Sequence, residues 1–198
     1  LLGDAGVAAF GRALAVMPKL RYLSLGRTGL GDKGLKEFCA EMAKVTLPAL
    51  EEVWLIDNNL TDESMDALFD AVRTAAPALK RLYLYGNEIG DEGIKALMAT
   101  AAKGKLATLN ALDLQYNPFG EAGAEVLADT IASCMADGSL PAMKELWVPD
   151  AQPYNVIEGI SSALEPSLAT VQSDGSVHLS RPGRLHLMCK VRHARSAL

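Results

Sequence analysis

Residues 79–97 read "LKRLYLYGNEIGDEGIKAL", and the stretch divides into two halves with different periodicity. In the first half, Leu82 and Leu84 are two residues apart, which places them on the same side of a β-strand. In the second half, after Gly-Asp-Glu-Gly, apolar residues recur at intervals of three and four, which is typical of a helix. A strand and a helix this short cannot bury their apolar sides by themselves. The stretch therefore predicts a unit that repeats along the chain.

The unit does repeat. Copies begin at Leu20, Leu50, Leu79 and Leu109, so successive copies are 30, 29 and 30 residues apart. A degenerate copy begins at Met143 with "MKELWVPD", and the first ten residues, "LLGDAGVAAF", align with the second half of a copy. A fixed period of this size is typical of a solenoid. We therefore predict an α/β fold in which short strands form a parallel sheet and helices cover its leucine side.

One polar position follows each predicted strand at a constant phase. An amide side chain there can donate to and accept from the backbone of adjacent turns, which would otherwise hold unpaired groups. A catalytic asparagine is the alternative, but a residue repeated in every turn is better explained as structural. The predicted structural ladder consists of Thr28, Asn58, Asn87 and Asn117.

An acidic residue starts the helical half of each copy, within a Gly-Asp-x-Gly-like motif. We interpret it as a helix cap that also complements the helix dipole. A phosphate or metal loop is the alternative, but the motif lacks the Lys-Ser/Thr pair of a phosphate loop and the alternating acids of a calcium loop. The five acids are Asp4, Asp32, Asp62, Asp91 and Glu121.

The net charge of −5 is unevenly distributed over the 198 residues. Residues 171–198 hold five Lys and Arg residues, one acid and all three histidines, so the rest of the chain has a charge of about −9. An acidic body disfavours nucleic acid as a partner, because phosphate binding needs a positive surface. No apolar run of 18 residues and no leader is visible, so we expect no membrane association. Three widely spaced cysteines fit a reducing compartment, which favours a cytoplasmic or nuclear location.

A catalytic function finds little support in the sequence. The repeat region has no histidine, so no Ser-His or Cys-His pair can be formed within it. We therefore expect neither enzymatic activity nor a cofactor, a metal or a small-molecule substrate. The C-terminal segment does contain four potential zinc ligands, but their spacing matches no standard zinc motif, and a basic tail is the favoured interpretation. These four residues are His178, His186, Cys189 and His193.

The order of strand, asparagine, glycine and helix resembles the leucine-rich repeats of the ribonuclease-inhibitor type. The resemblance runs from Leu20 to about Leu140, with a half copy before it and the degenerate copy after it. It implies a horseshoe-shaped solenoid with strands on the concave side and helices on the convex side. We accordingly predict a leucine-rich-repeat domain over residues 1–170, with a half repeat at 1–19. Residues 171–198 would be a basic non-repeat tail, either disordered or capping the array, and the chain would be a fragment of a longer repeat protein.

The resemblance also implies a binding function, since related arrays occur in ribonuclease inhibitor, NOD-like receptors and Ran GTPase activators. We expect a protein ligand on the concave side, because strand residues beside the ladder leucines face away from the helices. Regulation of a small GTPase and ligand sensing in a NOD-like-receptor-type protein are the alternatives.

Tyr and Trp dominate binding hot spots, although aromatic residues also favour strands for reasons of packing alone. The acids among the strand residues predict a partner with a basic surface. The predicted partner-binding residues are Tyr22, Glu52, Trp54, Asp57, Arg81, Tyr83, Tyr85, Asp113, Gln115, Tyr116, Glu145, Trp147 and Asp150.

Overall fold

The structure is a computed structural model that describes residues 1–104, 106–139 and 142–148, together with the backbone of three strands at 169–171, 176–180 and 186–190. Helices alternate with three-residue strands over the repeats. The helices are α1 (Gly3–Gly11), α2 (Asp32–Met42), α3 (Met65–Ala75), α4 (Asp91–Ala102) and α5 (Glu121–Asp137), with 3₁₀ turns at Arg12–Val16 and Asp62–Ser64. The repeat strands are β1 (Tyr22–Ser24), β2 (Glu52–Trp54), β3 (Arg81–Tyr83), β4 (Ala111–Asp113) and β5 (Glu145–Trp147).

The five repeat strands form a parallel sheet in chain order, and equivalent residues of successive copies pair with each other. This register places equivalent side chains of successive copies on the same face of the sheet. The central strand residues point to the helices and are at most 3% exposed. The architecture is that of an α/β leucine-rich-repeat solenoid, as the sequence predicts. Those central residues are Leu23, Val53, Leu82, Leu112 and Leu146.

The core lies between the sheet and the helices. Leu84 comes directly after β3 and is 0% exposed, as are Leu82 in the strand and Ile94 in the helix of the same copy. The turn between strand and helix adds one large apolar residue per copy, and all of these are 0–1% exposed. The turn residues are Leu30, Leu60, Ile89 and Phe119.

The asparagines after the strands link adjacent turns of the solenoid. Asn87 is 5% exposed, and its Nδ2 donates to the carbonyl oxygens of Leu84 in its own copy (2.8 Å) and Leu55 in the preceding copy (2.9 Å). Its Oδ1 accepts from the backbone N–H of Leu60 at 3.3 Å. Buried backbone groups of two copies are thereby satisfied by one side chain. Asn58 and Asn117 make equivalent bonds. The hydroxyl of the shorter Thr28 lies 2.9 Å from the Leu25 carbonyl of its own copy and 3.2 Å from Oδ1 of Asn58 in the next copy.

The residue before each ladder position has a left-handed backbone. Its φ lies between 51° and 67° in the four copies, although only Gly86 is a glycine. At Gly86 a side chain would collide with the preceding copy, because an added Cβ would lie 2.2 Å from Oδ1 of Asp57. The other three residues accept the conformational strain that a side chain meets in this region. They are Arg27, Asp57 and Tyr116.

The acids at the helix starts do not cap their own helices, so the capping interpretation is wrong about the partner. Asp62 Oδ1 instead accepts from the backbone N–H of Gly90 in the next copy at 2.6 Å. Asp91 Oδ1 accepts from Gly120 at 2.6 Å and from Gly123 at 2.9 Å, both at the start of α5. Each of these aspartates thus lies at the start of its own helical segment but satisfies a free N–H group at the start of the following one. Asp4 and Asp32 bond the next copy in the same way, through Gly31 and Thr61.

From the copy that begins at Leu20 onward, the second glycine of the Gly-Asp-x-Gly motif leaves room for the acid of the preceding copy. A Cβ on Gly93 would lie 2.5 Å from Asp62 Oδ1, and one on Gly123 would lie 2.6 Å from Asp91 Oδ1. In the copy that begins at Leu50 this position is Ser64, whose hydroxyl donates to Asp32 Oδ1 at 2.5 Å. Burial acts to raise the pKa of Asp32, but the hydrogen bonds from Ser64 and Thr61 outweigh it and lower the pKa. The motif is therefore a contact between repeats.

Three strands follow the repeats in the same sheet. They are β6 (Ala169–Val171), β7 (Ser176–Ser180) and β8 (His186–Lys190). β8 pairs in parallel with β5, while β7 lies antiparallel between β8 and β6. The predicted division at residue 170 stays a prediction. Asp150 and the side chains of the possible zinc ligands lie outside the described residues. Among the residues described, no helix has the length and apolar character needed to cross a membrane.

Candidate functional site

The face of the sheet opposite the helices is built from two rows of side chains, which we call the sheet face. Because equivalent residues pair across the strands, each row crosses the sheet one residue per strand. The first row is Tyr22, Glu52, Arg81, Ala111 and Glu145, and the second row is Ser24, Trp54, Tyr83, Asp113 and Trp147. Beyond the strand ends, the same face continues to Tyr85, Gln115, Asp57 and Tyr116.

Two groups of aromatic rings lie on the sheet face. In the first group, the ring centroid of Tyr83 is 4.6 Å from that of Trp54 and 6.4 Å from that of Trp147. In the second group, the rings of Tyr85 and Tyr116 are 4.8 Å apart and tilted by 55°. These distances are typical of favourable aromatic pairs. The structure therefore brings five of the predicted residues into two clusters.

Tyr22 stands apart from both aromatic groups. It lies on the first strand, is 55% exposed, and its ring is covered by the guanidinium of Arg21 at 5.4 Å from the centroid. Trp54 is 38% exposed and Tyr116 is 58% exposed. These large apolar rings are therefore partly open to a partner, as hot-spot residues must be.

Glu52 is not a free surface charge, although the sequence assigns it to an acidic surface. It is 8% exposed, and its carboxylate accepts hydrogen bonds from Arg81 Nη1 and, at 3.1 Å, from Trp54 Nε1. Burial and then the charge of Glu52 raise the pKa of the Tyr83 hydroxyl. Glu52 thus orients the neighbouring Trp54 ring.

Ion pairs between adjacent copies neutralise two of the predicted surface acids, Glu52 and Asp57. Asp57 Oδ2 accepts from Arg27 Nε at 2.8 Å. Beside the sheet, Glu51 lies between Arg21 at 3.1 Å and Lys80 at 3.2 Å, and these cations lower its pKa. The pattern within a single strand does not indicate Arg27. A search for opposite charges one repeat apart would have found it, since it precedes Asp57 by 30 residues.

Asp113 and Glu145 differ from the paired acids. Neither makes a salt bridge within the part of the chain that the structure describes. Asp113 is partly buried and accepts one hydrogen bond, from the backbone N–H of Gln115 at 3.0 Å. Burial raises its pKa above the usual carboxyl value. The unpaired negative charge therefore lies on β4 and β5, at the far end of the aromatic row.

The described residues offer little for catalysis. Burial raises the pKa of the Cys39 thiol to about 12, and burial followed by the charge of Asp137 raises that of Cys134, so neither is activated as a nucleophile. Over the same residues, His, Cys, Asp and Glu side chains form no group of three or more that could hold a metal ion.

Comparison with known proteins agrees with this geometry. The sequence profile described as Leucine Rich repeat matches residues 16–39, 76–98 and 105–128. The chain contains leucine-rich repeats. The leucine-rich-repeat chain is also similar in structure to "Leiomodin-1 Actin-Binding Site 2", with a TM-score of 0.60 and 12% sequence identity over 79% of this chain and 84% of that one. This similarity concerns the fold. No curated protein sequence gives a significant match, and the ribonuclease-inhibitor type stays a prediction.

Proposed function

We propose that the chain is a protein-interaction module that binds a protein ligand on the sheet face. Leucine-rich repeats are in general protein-interaction modules. The observation that carries the proposal is the aromatic row in which Tyr83 contacts both Trp54 and Trp147. A row of partly exposed aromatic rings flanked by charged residues is the composition of a binding hot spot with a polar rim.

Cross-strand packing alone is the competing explanation for this row, because aromatic pairs also stabilise a sheet. Packing does not require the exposure that Trp54 and Tyr116 retain. It also does not explain why Glu52 holds the Trp54 indole in place by a hydrogen bond. A fixed ring loses less conformational entropy when a partner binds, so the geometry favours recognition.

The proposed ligand carries a basic surface. Asp113 and Glu145 have no salt-bridge partner within the described residues, whereas Glu52 and Asp57 are paired with arginines. Complementary charge at this end of the sheet would increase both the rate and the specificity of association. We do not propose nucleic acid, a membrane or a small molecule as the ligand, and we propose a cytoplasmic location.

Site-specific crosslinking tests whether this face is used. A photoreactive benzophenone amino acid replaces Tyr116, whose ring is 58% exposed, and in a separate variant it replaces Asp66, which is exposed on α3. We expect a protein adduct from position 116 that is lost when Trp54 and Tyr83 are also replaced by alanine. Adducts that form equally from position 66, or that survive the double replacement, would contradict the proposal.

The similar leiomodin-1 structure is described by its title as an actin-binding site. At 12% identity the likeness concerns the fold, so actin enters only as one candidate to test against any adduct. Regulation of a small GTPase and sensing in a NOD-like-receptor-type protein rest on the sequence resemblance. GTP hydrolysis by small GTPases with and without the chain tests the first of these alternatives.

A further inference from the structure

Asp113 lies between two aromatic residues in the sheet. In the sheet register it pairs with Tyr83 on one side and with Trp147 on the other. Strands two apart in a sheet are separated by about 9.6 Å, twice the usual spacing. The centroids of Tyr83 and Trp147 are nevertheless only 6.4 Å apart. The two rings therefore lean towards each other over the strand that carries Asp113.

Among the described residues, one hydrogen-bond donor reaches the carboxylate of Asp113. An ionised carboxylate has about four acceptor positions, and the backbone N–H of Gln115 occupies one of them. The burial that raises its pKa also removes part of its hydration. Glu52 and Asp57 on the same face each bond an arginine from an adjacent copy. Glu52 and Asp57 thus each have the guanidinium of an arginine beside them, whereas Asp113 has the aromatic residues of the adjacent strands.

We infer that the protein ligand places an arginine side chain on Asp113, against the rings of Tyr83 and Trp147; this inference rests on the function proposed above. A guanidinium can bond a carboxylate through two parallel N–H groups while its plane stacks on an aromatic ring. Lysine fits this site less well, because its ammonium is strongly hydrated and makes point contacts. Glu145, two residues before Trp147, adds a second negative charge at the edge of the site.

The test uses the full chain and small probes that need no identified partner. N-acetyl-L-argininamide, the lysine analogue and the neutral citrulline analogue are titrated while the indole N–H signals of the two tryptophans are followed by NMR. We expect argininamide to bind in the millimolar range and to shift the Trp147 signal more than the Trp54 signal. The citrulline analogue should bind at least about tenfold more weakly, because it retains the shape but loses the charge.

Asp113→Asn tests the carboxylate itself. Asparagine retains an oxygen for the Gln115 N–H, so the local hydrogen bond can persist. We expect at least about a tenfold loss of argininamide affinity. Asp66→Asn is the matched control, since Asp66 is exposed on α3, on the helix side of the sheet; its affinity for argininamide should stay within about twofold of wild type.

The inference is overturned if argininamide does not bind, if Asp113→Asn binds it equally well, or if the lysine or citrulline analogue binds as tightly. These results are separate from the crosslinking result at position 116. If position 116 forms the expected adducts but argininamide does not bind, the proposed function stands and this inference fails. Loss of the adducts alone would remove the proposed function.

Discussion

Asp62 Oδ1 lies 2.6 Å from the backbone nitrogen of Gly90, one repeat further along the chain. The same contact joins Asp91 to Gly120 at 2.6 Å and Asp4 to Gly31 at 2.7 Å. A carboxylate that bonds a free N–H at a helix start is a charge-assisted hydrogen bond. The acid of one repeat therefore fixes the start of the next helix, and the repeats are coupled through these contacts as well as through the core.

The first prediction concerns this coupling. Asp62→Ala removes the acceptor of the Gly90 N–H, and we expect a loss of about 1–3 kcal/mol in the free energy of unfolding. Asp66→Ala is the control, because Asp66 is exposed on α3, and its effect should stay within about 0.5 kcal/mol. Urea unfolding measures both. Equal stability of the two variants would contradict the role assigned to Asp62.

The second prediction concerns the glycine that makes room for the acid. Gly123→Ala places a Cβ about 2.6 Å from Asp91 Oδ1, and we expect a destabilisation of about 1–3 kcal/mol even though alanine favours a helix. In an Asp91→Ala background the same substitution should cost less, since the oxygen is gone. A double-mutant cycle with no coupling would show that Gly123 is there for another reason.

The third prediction concerns the asparagine ladder. Asn87→Ala leaves the carbonyls of Leu55 and Leu84 without this donor, and we expect a loss of at least about 1–3 kcal/mol. Asn87→Asp should be no better, because an ionised carboxylate cannot donate to a carbonyl. The control is Asn59→Ala, at the exposed position that follows the ladder asparagine of the preceding copy. Thermal unfolding of the three variants should place Asn59→Ala with the wild type and the other two well below it.

The fourth prediction is a pH dependence at Asp113. Burial raises its pKa in the folded state, so the folded chain binds this proton more tightly than the unfolded chain does. The ionised group therefore destabilises the fold at neutral pH, and this cost disappears as the pH falls below the raised pKa. We expect Asp113→Asn to be more stable than wild type at pH 7 and to lose that advantage in acid. A variant less stable than wild type at pH 7 would contradict this.

The sequence predicts the repeat and the fold because both depend on local spacing. Leu82, Leu84 and Asn87 recur at a fixed phase, and each needs only its equivalent in the next copy to be placed correctly. The candidate site was harder to predict. The pairing of Arg27 with Asp57 and the burial of Glu52 depend on side chains reaching across copies, and single-strand patterns contain no such information.

The hydrogen-bond partner of the helix-start acids is equally hard to predict from one copy, because it lies in the next copy. Within one copy, Asp62 looks like the cap of the helix that follows it in sequence, because capping is normally a local contact. The lateral distance between copies is short enough for its carboxylate to bond the next copy instead. The glycine at 93 carries part of the missing signal, because a side chain there would collide with Asp62 of the preceding copy as well as with Ile89 of its own copy.

The most direct test of the proposed function uses the partner that crosslinking identifies, in purified form. Isothermal titration calorimetry measures its affinity for three forms of the chain. The forms are wild type, the double variant Trp54→Ala/Tyr83→Ala, and the control Asp66→Ala on the helix side. We predict that the double variant loses at least about 2 kcal/mol of binding free energy, that the control binds like wild type, and that all three remain folded by circular dichroism. A folded double variant that binds the partner as tightly as wild type would contradict the account.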